Sequence, residues 1–572
     1  MTPRPASADT TRDPADIARE VFGLPDLRSG IADAIDAVLA GHDTLAVMPT
    51  GYGKSTVYGV TGIARGGVTV VFSPLIALQT DQVEKLRAAP GHPIAVAVNS
   101  RRGGTLAAAR RALDGAEAGF LFLAPEQLDN ERVVEWLREL PVRLVAVDEA
   151  HCVSTWGHDF RPDYAALGER LEALGRPQLV ALTATGSAPV RQDIVEVLRL
   201  REPVLIARGF DRPNLRLEVA RFETDDEKRE AVARRVRALP QPGIVYVSTR
   251  AETTRGAERM TAAGLRAAAY HGSLRSAERD EVLRAFLDGE LDVVVATSAF
   301  GMGVDKPDVR YVVHADVPDS LDIYYHEAGR AGRDGEPAQA ILHYRPEDFA
   351  LTSFFNGGLP DADELHRAYT AIAAAGGGAG TEAGTDGGLG RRELAARLGL
   401  STRTVSRLVN LLEDAGAVAT SGRTLRAVGG EPDQAVETAL EAARRRERVA
   451  DSRMEMMRAY AETLGCRRQA LLGYFGEELA EPCGNCDTCE SGSAYEQRDD
   501  RAAHAAAHES RADQGGPPDA PFPVDARVEH RQWGPGVVMR AEPDRVTVFF
   551  ESEGYKVLSL DAVEEEDLLT RA

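Results

Sequence analysis

Residues 43–55 read DTLAVMPTGYGKS, an apolar run followed by a loop of small residues that ends in a lysine and a serine. The run has the length of a buried strand, and the loop opens a helical stretch. Small residues let backbone N–H groups surround a phosphate, and the start of a helix adds a positive field. Lys54 would therefore reach the β- and γ-phosphates of ATP, and Ser55 would bind Mg²⁺. The other residues of this ATP cradle are Thr50, Gly51, Tyr52 and Gly53.

The cradle departs from the strict phosphate-loop pattern at Met48, where a glycine is expected, so a glycine-rich turn with a surface lysine is an alternative. A second motif favours the ATP site. Asp148 and Glu149 follow the apolar run VRLVAV, at the end of a strand in the same α/β unit. An aspartate there can hold the Mg²⁺ shell, and the neighbouring glutamate can polarise the attacking water. An ordinary acidic loop is the alternative for this motif.

Short apolar runs recur along the first part of the chain and alternate with helical stretches. The first set comprises DTLAVMP, VTVVFSP, AGFLFLAP, VRLVAVDEA and QLVALTAT, and the second GIVYVSTR, AAAYHG, DVVVATSA, VRYVVHAD and AQAILHY. This alternation predicts an α/β fold with two tandem parallel-sheet domains, residues 15–208 and 209–348, behind a disordered N-terminus at 1–14. Ligands in such sheets lie at the carboxyl ends of strands, where both motifs fall.

Residues 349–388 predict a helical connection and a glycine-rich linker. Residues 389–430 have the pattern of a winged helix, with two helices, a tight turn and two short strands. Thr402 is predicted to cap the second helix. On that helix Arg403 and Arg407 would contact DNA or simply form a solvated face.

Four of the five cysteines lie in a predicted helical zinc-binding module at residues 431–490. Cys466 is placed within a helical stretch, and Cys483, Cys486 and Cys489 follow as CxxCxxC. Four thiolates fit a tetrahedral, structural Zn²⁺. An Fe–S cluster is the rival.

The remaining sequence predicts a disordered linker at residues 491–523 and a small five-stranded β-barrel of SH3 or Tudor type at 524–569. The chain has 572 residues and a formal net charge of −22, which argues against wholesale coating of DNA but allows a focused basic track. No apolar run is long enough for a membrane span, and no secretory leader is recognised. We therefore expect a cytoplasmic, nucleoid-associated protein.

These motifs together resemble the RecQ helicases of superfamily 2. The first-domain matches are SPLIALQTDQV, LAPEQL, AVDEAHCVSTWGHDFRPDYAALGERL and ALTAT, and the second-domain matches are AYHGSL, ATSAFGMGVDKPDVR and YYHEAGRAGRDG. The resemblance covers residues 15–348 and resumes at the cysteine cluster. It implies two RecA-like motor domains, a 3′→5′ DNA helicase activity in repair and recombination, and the cofactors ATP, Mg²⁺ and Zn²⁺.

The resemblance also implies roles for individual residues. Asp148 and Glu149 look like the Mg²⁺-linked acid and the water activator, and His151 resembles the residue that couples ATP to DNA. Arg330 and Arg333 resemble the arginine pair of the last motif, with Arg333 expected as the finger on the γ-phosphate. Two further residues expected to bind ATP are Arg28 and Asp305.

The loop after the acidic motif is expected to bind single-stranded DNA. Trp156 and Phe160 would stack on unpaired bases, and Arg161 would contact a phosphate. Packing of both rings into the core is the alternative. The expected DNA-binding residues of this loop are Ser154, Trp156, His158, Phe160 and Arg161.

The chain departs from the family pattern at three places. Leu24 stands where an adenine-stacking aromatic is expected, and Ile31 stands where a glutamine is expected. Ile31 cannot hydrogen-bond a base, so we expect weak discrimination between ATP and other triphosphates. His326 replaces the glutamine that opens the last motif, which puts the pH dependence of activity in question. The winged helix precedes the cysteines instead of following them, so the family's strand-splitting hairpin is not assigned.

Single-stranded DNA and tailed or forked duplexes are the expected substrates. The alternatives are a DNA-stimulated translocase that does not separate strands, a non-catalytic DNA-binding regulator, and an RNA helicase. The C-terminal barrel resembles the small barrel of UvrD-type helicases. The resemblance implies a protein partner there, with single-strand-binding protein or the transcription machinery as candidates.

Overall fold

The computed structural model describes residues 12–99, 105–154, 162–301, 304, 306–349, 359–376, 389–421, 424–499, 521–524, 526–542 and 545–571. The chain divides into two compact units. One comprises residues 1–345, 459–525 and 537–543, and the other comprises residues 346–458, 526–536 and 544–572.

The first part of the chain folds around a seven-stranded parallel sheet with strand order β3-β4-β2-β5-β6-β1-β7. Its elements are α1 (Pro14–Phe22), α2 (Ser29–Leu39), β1 (Thr44–Val47), α3 (Ser55–Arg65), β2 (Gly67–Phe72), α4 (Ile76–Ala88), β3 (Ile94–Ala97), α5 (Leu106–Leu113), β4 (Ala118–Leu123), α6 (Glu131–Glu139), β5 (Val142–Val147), α7 (Pro162–Ala165), α8 (Leu167–Ala173), β6 (Gln178–Thr183), α9 (Ala188–Val197) and β7 (Val204–Ala207). Strands β1 and β5 both flank β6, so the loops that follow them open at the same edge of the sheet.

A second parallel sheet follows, with six strands in the order β10-β11-β9-β12-β13-β8. Its elements are β8 (Leu215–Arg221), α10 (Asp225–Ala238), β9 (Gly243–Tyr246), α11 (Arg250–Ala262), β10 (Ala267–Tyr270), α12 (Ser276–Leu287), β11 (Val293–Ala296), β12 (Tyr311–His314), α13 (Leu321–Ala328) and β13 (Ala338–Tyr344). Strands β9, β11 and β12 are buried along their whole length, as their continuous apolar composition predicts. The prediction of two tandem parallel-sheet domains is confirmed.

The next module contains the predicted winged helix together with a helix of the predicted helical connection. Its elements are α14 (Ala362–Gly376), α15 (Arg391–Leu398), α16 (Thr402–Asp414), β14 (Val418–Ser421), β15 (Thr424–Ala427) and α17 (Pro432–Glu462). Helix α14, assigned from sequence to the connection, shares one buried core with α15, α16 and the start of α17. The prediction that Thr402 caps α16 is wrong. Ser401 is the cap, since its side chain accepts the N–H of Thr404. The glycine-rich residues 377–388 lie outside the described residues.

The cysteine-bearing module consists of the end of α17, α18 (Arg467–Tyr474) and α19 (Asp487–Ser491). Cys466 does not lie within a helix, contrary to the prediction. Helix α17 ends at Glu462, and Cys466 is the N-cap of α18. Of the predicted disordered linker, residues 500–520 lie outside the described residues, and residues 493–499 are helical.

A five-stranded sheet ends the chain, with strand order β19-β18-β17-β16-β20. Its elements are β16 (Arg527–His530), β17 (Gly534–Ala541), β18 (Arg545–Phe550), β19 (Gly554–Ser559), α20 (Leu560–Glu566) and β20 (Leu569–Arg571). The pairings of β18 with β19 and of β16 with β20 are antiparallel. Among the described residues, no helix combines the length and apolarity that crossing a membrane requires.

Candidate active site and metal centre

The loop between β1 and α3 has the geometry of a phosphate cradle. Gly51 and Gly53 have φ angles of +79° and +99°, which other residues rarely adopt. The Lys54 ammonium lies back across its own loop and donates to the carbonyls of Met48 at 2.9 Å and Pro49 at 3.2 Å. Burial lowers the pKa of Lys54, while the nearby Glu149 and Asp148 carboxylates oppose that shift. The cradle thus holds a partly buried cation beside two acids.

Asp148 and Glu149 follow β5 and face this lysine. Asp148 accepts the backbone N–H of Glu149 at 3.0 Å, and Glu149 itself has a left-handed φ of +51°. Burial and the adjacent Glu149 raise the pKa of Asp148 to about 7, and Lys54 opposes the rise. A buried acid that is costly to ionise gains stability when a cation binds it. The donor set of Asp148 and the Ser55 hydroxyl therefore fits a hard divalent cation such as Mg²⁺.

His151 connects the acidic motif to the neighbouring strand and to the second sheet domain. Its side chain is fully buried, with Nδ1 3.0 Å from the Thr183 hydroxyl at the end of β6. Thr183 in turn donates to the Thr185 carbonyl at 2.7 Å. The His151 ring centre lies 6.2 Å from that of His326 on α13. His151 therefore lies between Thr183 at the end of β6 and His326 on α13.

The loop after α13, residues 329–335, carries both predicted arginines and is called the arginine loop here. Arg333 lies against the phosphate cradle, since a Cβ on Gly51 would be 3.4 Å from its Cγ and Cδ. Its Nη1 donates to the Val304 carbonyl at 2.9 Å. Arg330 is placed differently: its side chain is buried and donates to the Gly301 carbonyl. The structure thus brings Arg333, but not Arg330, to the cradle.

Arg28 contacts the cradle from the loop before α2. Its Nη1 donates to the carbonyls of Gly51 at 3.3 Å and Tyr52 at 3.2 Å, and its guanidinium lies 5.0 Å from the Tyr52 ring centre. Ile31 is 2% exposed and belongs to the core of the first domain, with Leu24 packed against the same cluster. Leu24 and Ile31 are therefore apolar packing positions.

The predicted DNA-binding loop falls largely outside the described residues. Those residues include Ser154, which is buried and donates its hydroxyl to the Asp193 carboxylate at 2.8 Å. The other predicted DNA-binding residues of the loop lie outside the described residues: Trp156, His158, Phe160 and Arg161. The predicted ATP-binding residue of the second domain, Asp305, also lies outside them. Arg403 and Arg407 are exposed on α16, in the other compact unit.

The four clustered cysteines form a candidate metal centre. The sulfur atoms of Cys466, Cys483, Cys486 and Cys489 all lie within 4.8 Å of one another. Four thiolates around a tetrahedral Zn²⁺ at about 2.3 Å place sulfurs about 3.8 Å apart, so the spacing fits. The backbone N–H groups of Cys483 and Asn485 donate to cluster sulfurs at 3.3 Å.

The metal module contacts the segment that joins β7 to β8, residues 208–214, called the linking segment here. Phe475 stacks on Phe210 with ring centres 4.9 Å apart and planes 5° apart. Asn485 donates to the Pro213 carbonyl at 2.9 Å, and just beyond the segment the buried Arg468 donates to the Leu215 carbonyl at the start of β8 at 2.7 Å. The module thus holds the segment that connects the two sheets.

Two polar residues of the linking segment, Arg212 and Asn214, contact the arginine loop and were not singled out from the sequence. Arg212 donates to three carbonyls of the loop, and Asn214 donates to one of them and to the carbonyl that follows the loop. Their partners lie more than a hundred residues away in the chain. The only local signal is their position between two predicted α/β domains.

Four family models match successive parts of the chain. They are a DEAD/DEAH box helicase over residues 30–194, a helicase conserved C-terminal domain over 206–335, a winged helix-turn-helix DNA-binding domain over 384–419, and a RecQ zinc-binding domain over 427–490. The matches follow the order of modules described above, with the winged helix ahead of the cysteines.

Several curated proteins are similar over most of the chain. The probable ATP-dependent DNA helicase RecS of Bacillus subtilis (strain 168) is 34% identical over 501 residues, which cover 85% of this chain and 94% of RecS. The ATP-dependent DNA helicase RecQ of Pasteurella multocida (strain Pm70) is 33% identical over 475 residues, which cover 83% of this chain and 62% of that protein. The chain thus spans nearly all of RecS but less than two-thirds of this RecQ.

The chain belongs to the RecQ family of superfamily 2 helicases. It is a helicase enzyme that uses ATP, and its four-cysteine cluster is a zinc centre. The predictions of family, fold class, ATP and zinc are confirmed.

Proposed function

We propose that this protein is a 3′→5′ DNA helicase that opens tailed and forked duplexes in repair and recombination. The observation that carries the proposal is the position of Arg333, which reaches from the second sheet domain to Gly51 in the phosphate cradle of the first. A nucleotide bound there is contacted by both domains. ATP binding and release therefore change the relative position of the domains, which is the motion a translocating motor needs.

Each residue of the site has a defined task in this proposal. Lys54 and the cradle N–H groups bind the β- and γ-phosphates, and Glu149 orients the attacking water. Arg333 stabilises the charge that develops on the γ-phosphate, which is worth about 10³–10⁵ in rate for arginine fingers. Mg²⁺, held by Ser55 and Asp148, would neutralise phosphate charge.

DNA contact is assigned to the loop after the acidic motif. Trp156 and Phe160 would stack on bases of the tracking strand, and Arg161 would contact its backbone. Ser154 and His151 would link that loop to the ATP site, because both follow the acidic motif, are buried, and bond to Asp193 and Thr183 respectively. This coupling makes hydrolysis dependent on single-stranded DNA.

The accessory modules supply further contacts. Arg403 and Arg407 lie on the second helix of a winged-helix fold, the element that contacts duplex DNA in many such domains. The C-terminal sheet would bind a protein partner, either single-strand-binding protein or the transcription machinery. We place the protein in the cytoplasm, associated with the nucleoid.

A second candidate is a DNA-stimulated translocase that does not separate strands. The observation that favours it is the order of modules, since the winged helix precedes the zinc module and leaves the strand-splitting element unassigned.

Strand displacement with purified protein, ATP and Mg²⁺ separates the two candidates. Duplexes with a 3′ tail and with a 5′ tail are compared, together with an RNA duplex of the same sequence. Release from the 3′-tailed DNA alone is expected. ATPase stimulated by single strands without release would favour the translocase.

A matched pair of lysine variants tests the assigned ATP site. Lys54→Ala is expected to abolish hydrolysis, because the variant lacks the cation that would contact the phosphates. Lys85→Ala is the control, since Lys85 is half exposed on the same domain and pairs with Asp81 at 3.0 Å. Equal activity of both variants would refute the assignment of the ATP site and with it the helicase proposal.

A further inference from the structure

The arginine loop begins where α13 ends, and its carbonyls need donors. Carbonyls just beyond the end of a helix have no partner within the helix. Arg212 supplies donors here: its Nη1 donates to Gly329 at 3.3 Å, and its Nη2 donates to Ala331 at 2.9 Å and Gly332 at 2.8 Å. A guanidinium at this position also complements the negative end of the helix dipole. One side chain thus fixes three peptide groups of the loop.

Asn214 holds the loop from a second point. Its Nδ2 donates to the Gly332 carbonyl at 2.8 Å and to the Glu336 carbonyl at 2.9 Å. Gly332 has a left-handed φ of +62°, and a Cβ there would lie 2.6 Å from the Asn214 Nδ2. The Asn214 side chain therefore occupies the space that a Cβ would need at residue 332, and only glycine fits there. The loop is held on both sides of Arg333.

The loop's position decides where Arg333 points. Arg333 lies one residue beyond Gly332, whose carbonyl accepts from both Arg212 and Asn214. A displacement of about 1 Å in a positioning element can cost about a hundredfold in rate. Arg212 and Asn214 both belong to the linking segment, and the metal module contacts that segment and the start of β8.

We propose that Arg212 and Asn214 are positioning residues for ATP hydrolysis, which hold the arginine loop so that Arg333 lies at the phosphate cradle. The inference rests on the proposed function of Arg333. It adds two residues that act through the loop, because their donor groups are directed at its carbonyls.

The test is a double-mutant cycle on DNA-stimulated ATP hydrolysis by the full chain. Arg212→Ala and Asn214→Ala are each made alone and together with Arg333→Ala. We expect each single variant to lower kcat by about tenfold or more, with the KM for ATP changed by less than about threefold. In the Arg333→Ala background the same changes should cost less than about twofold, because their effect passes through Arg333.

Arg221→Ala is the matched control. Arg221 is the last residue of β8, its side chain is 58% exposed, and it pairs with the exposed Glu223 at 3.9 Å. Its kcat should stay within about twofold of the parent chain. Arg212→Lys keeps the charge but loses the forked geometry, so it should recover only part of the kcat lost in Arg212→Ala.

The outcomes separate the inference from the function on which it rests. An unchanged kcat in Arg333→Ala would overturn the proposed role of Arg333, whatever the other variants do. A large loss in Arg333→Ala with an unchanged kcat in Arg212→Ala and Asn214→Ala would overturn the positioning role alone. Losses that multiply fully in the double variants, with a lower thermal midpoint, would show a structural role and also overturn it.

Discussion

Replacing Gly209 by alanine would test how the linking segment affects the nucleotide site. Gly209 has a left-handed φ of +81°, and a Cβ there would lie 2.7 Å from Cε2 of Tyr52 and 3.1 Å from its Cζ. Carbon atoms do not approach that closely, so the Tyr52 ring must move. The Arg28 guanidinium, 5.0 Å from the centre of that ring, would lose its contact.

The expected cost has two parts that different measurements report. Left-handed backbone costs an alanine about 1–2 kcal/mol, which lowers the free energy of unfolding. Loss of a cation–π contact at a partly exposed site costs about 0.5–1 kcal/mol. The second part concerns the cradle, and at about 1.4 kcal/mol per tenfold it raises the KM for ATP by about two- to fivefold.

Gly41→Ala separates the two parts. Gly41 has a φ of +95° in the same domain, but a Cβ there would meet nothing within 4 Å. Urea titration should show a similar loss of unfolding free energy in both variants. Steady-state hydrolysis with saturating single-stranded DNA should show the higher KM in Gly209→Ala alone. If the KM for ATP were the same in the two variants, the proposed link from Gly209 through Tyr52 to Arg28 would be wrong.

Three further predictions concern stability, the metal and the base. Burial raises the pKa of Asp43, but hydrogen bonds from Arg176 and from two backbone N–H groups outweigh it and hold the pKa below its ordinary value. The ion pair therefore stabilises the fold above about pH 4 and is lost as pH falls through the depressed pKa. Asp43→Asn should remove this pH dependence and lower the free energy of unfolding by about 3–5 kcal/mol in urea titrations. The prediction would be contradicted if the variant lost stability at acidic pH just as the parent chain does. Cys486→Ser should lower the bound zinc, measured by metal analysis, together with the thermal midpoint, whereas full zinc content would reject Cys486 as a ligand. Because Ile31 offers no hydrogen bond, GTP should support more than about a hundredth of the ATP rate, and a stronger preference for ATP in phosphate-release assays would refute this.

The parts of the site that sequence could predict lie directly after apolar strands. Lys54 follows β1 and Asp148 follows β5, and parallel strands bring such loops to one edge. The sequence does not predict the exact ends of the helices. Ser401 and Thr402 are both good caps, and only the backbone decides between them. The break before Cys466 rests on a local bond from the Gly465 N–H to the Thr463 hydroxyl, which a helical pattern of apolar residues does not reveal.

Other features depend on contacts between distant parts of the chain. Arg212 and Asn214 act on carbonyl groups, which every residue carries, so no residue pattern marks their partners. The last strand, β20, has three residues and owes its place to pairing with β16. Its length is below what an alternating pattern can identify.

The hold of the zinc module on the linking segment has a consequence for synthesis of the protein. Phe475 and Asn485 leave the ribosome more than 250 residues after the Phe210 and Pro213 that they contact. A nascent chain that has just completed β13 already carries both sheets and every ATP motif, yet the linking segment still lacks its contacts with Phe475 and Asn485. We expect such a chain to bind ATP before it can turn it over efficiently. Efficient ATP hydrolysis would begin only after the cysteines have emerged and bound metal, and an incomplete chain would hydrolyse little ATP.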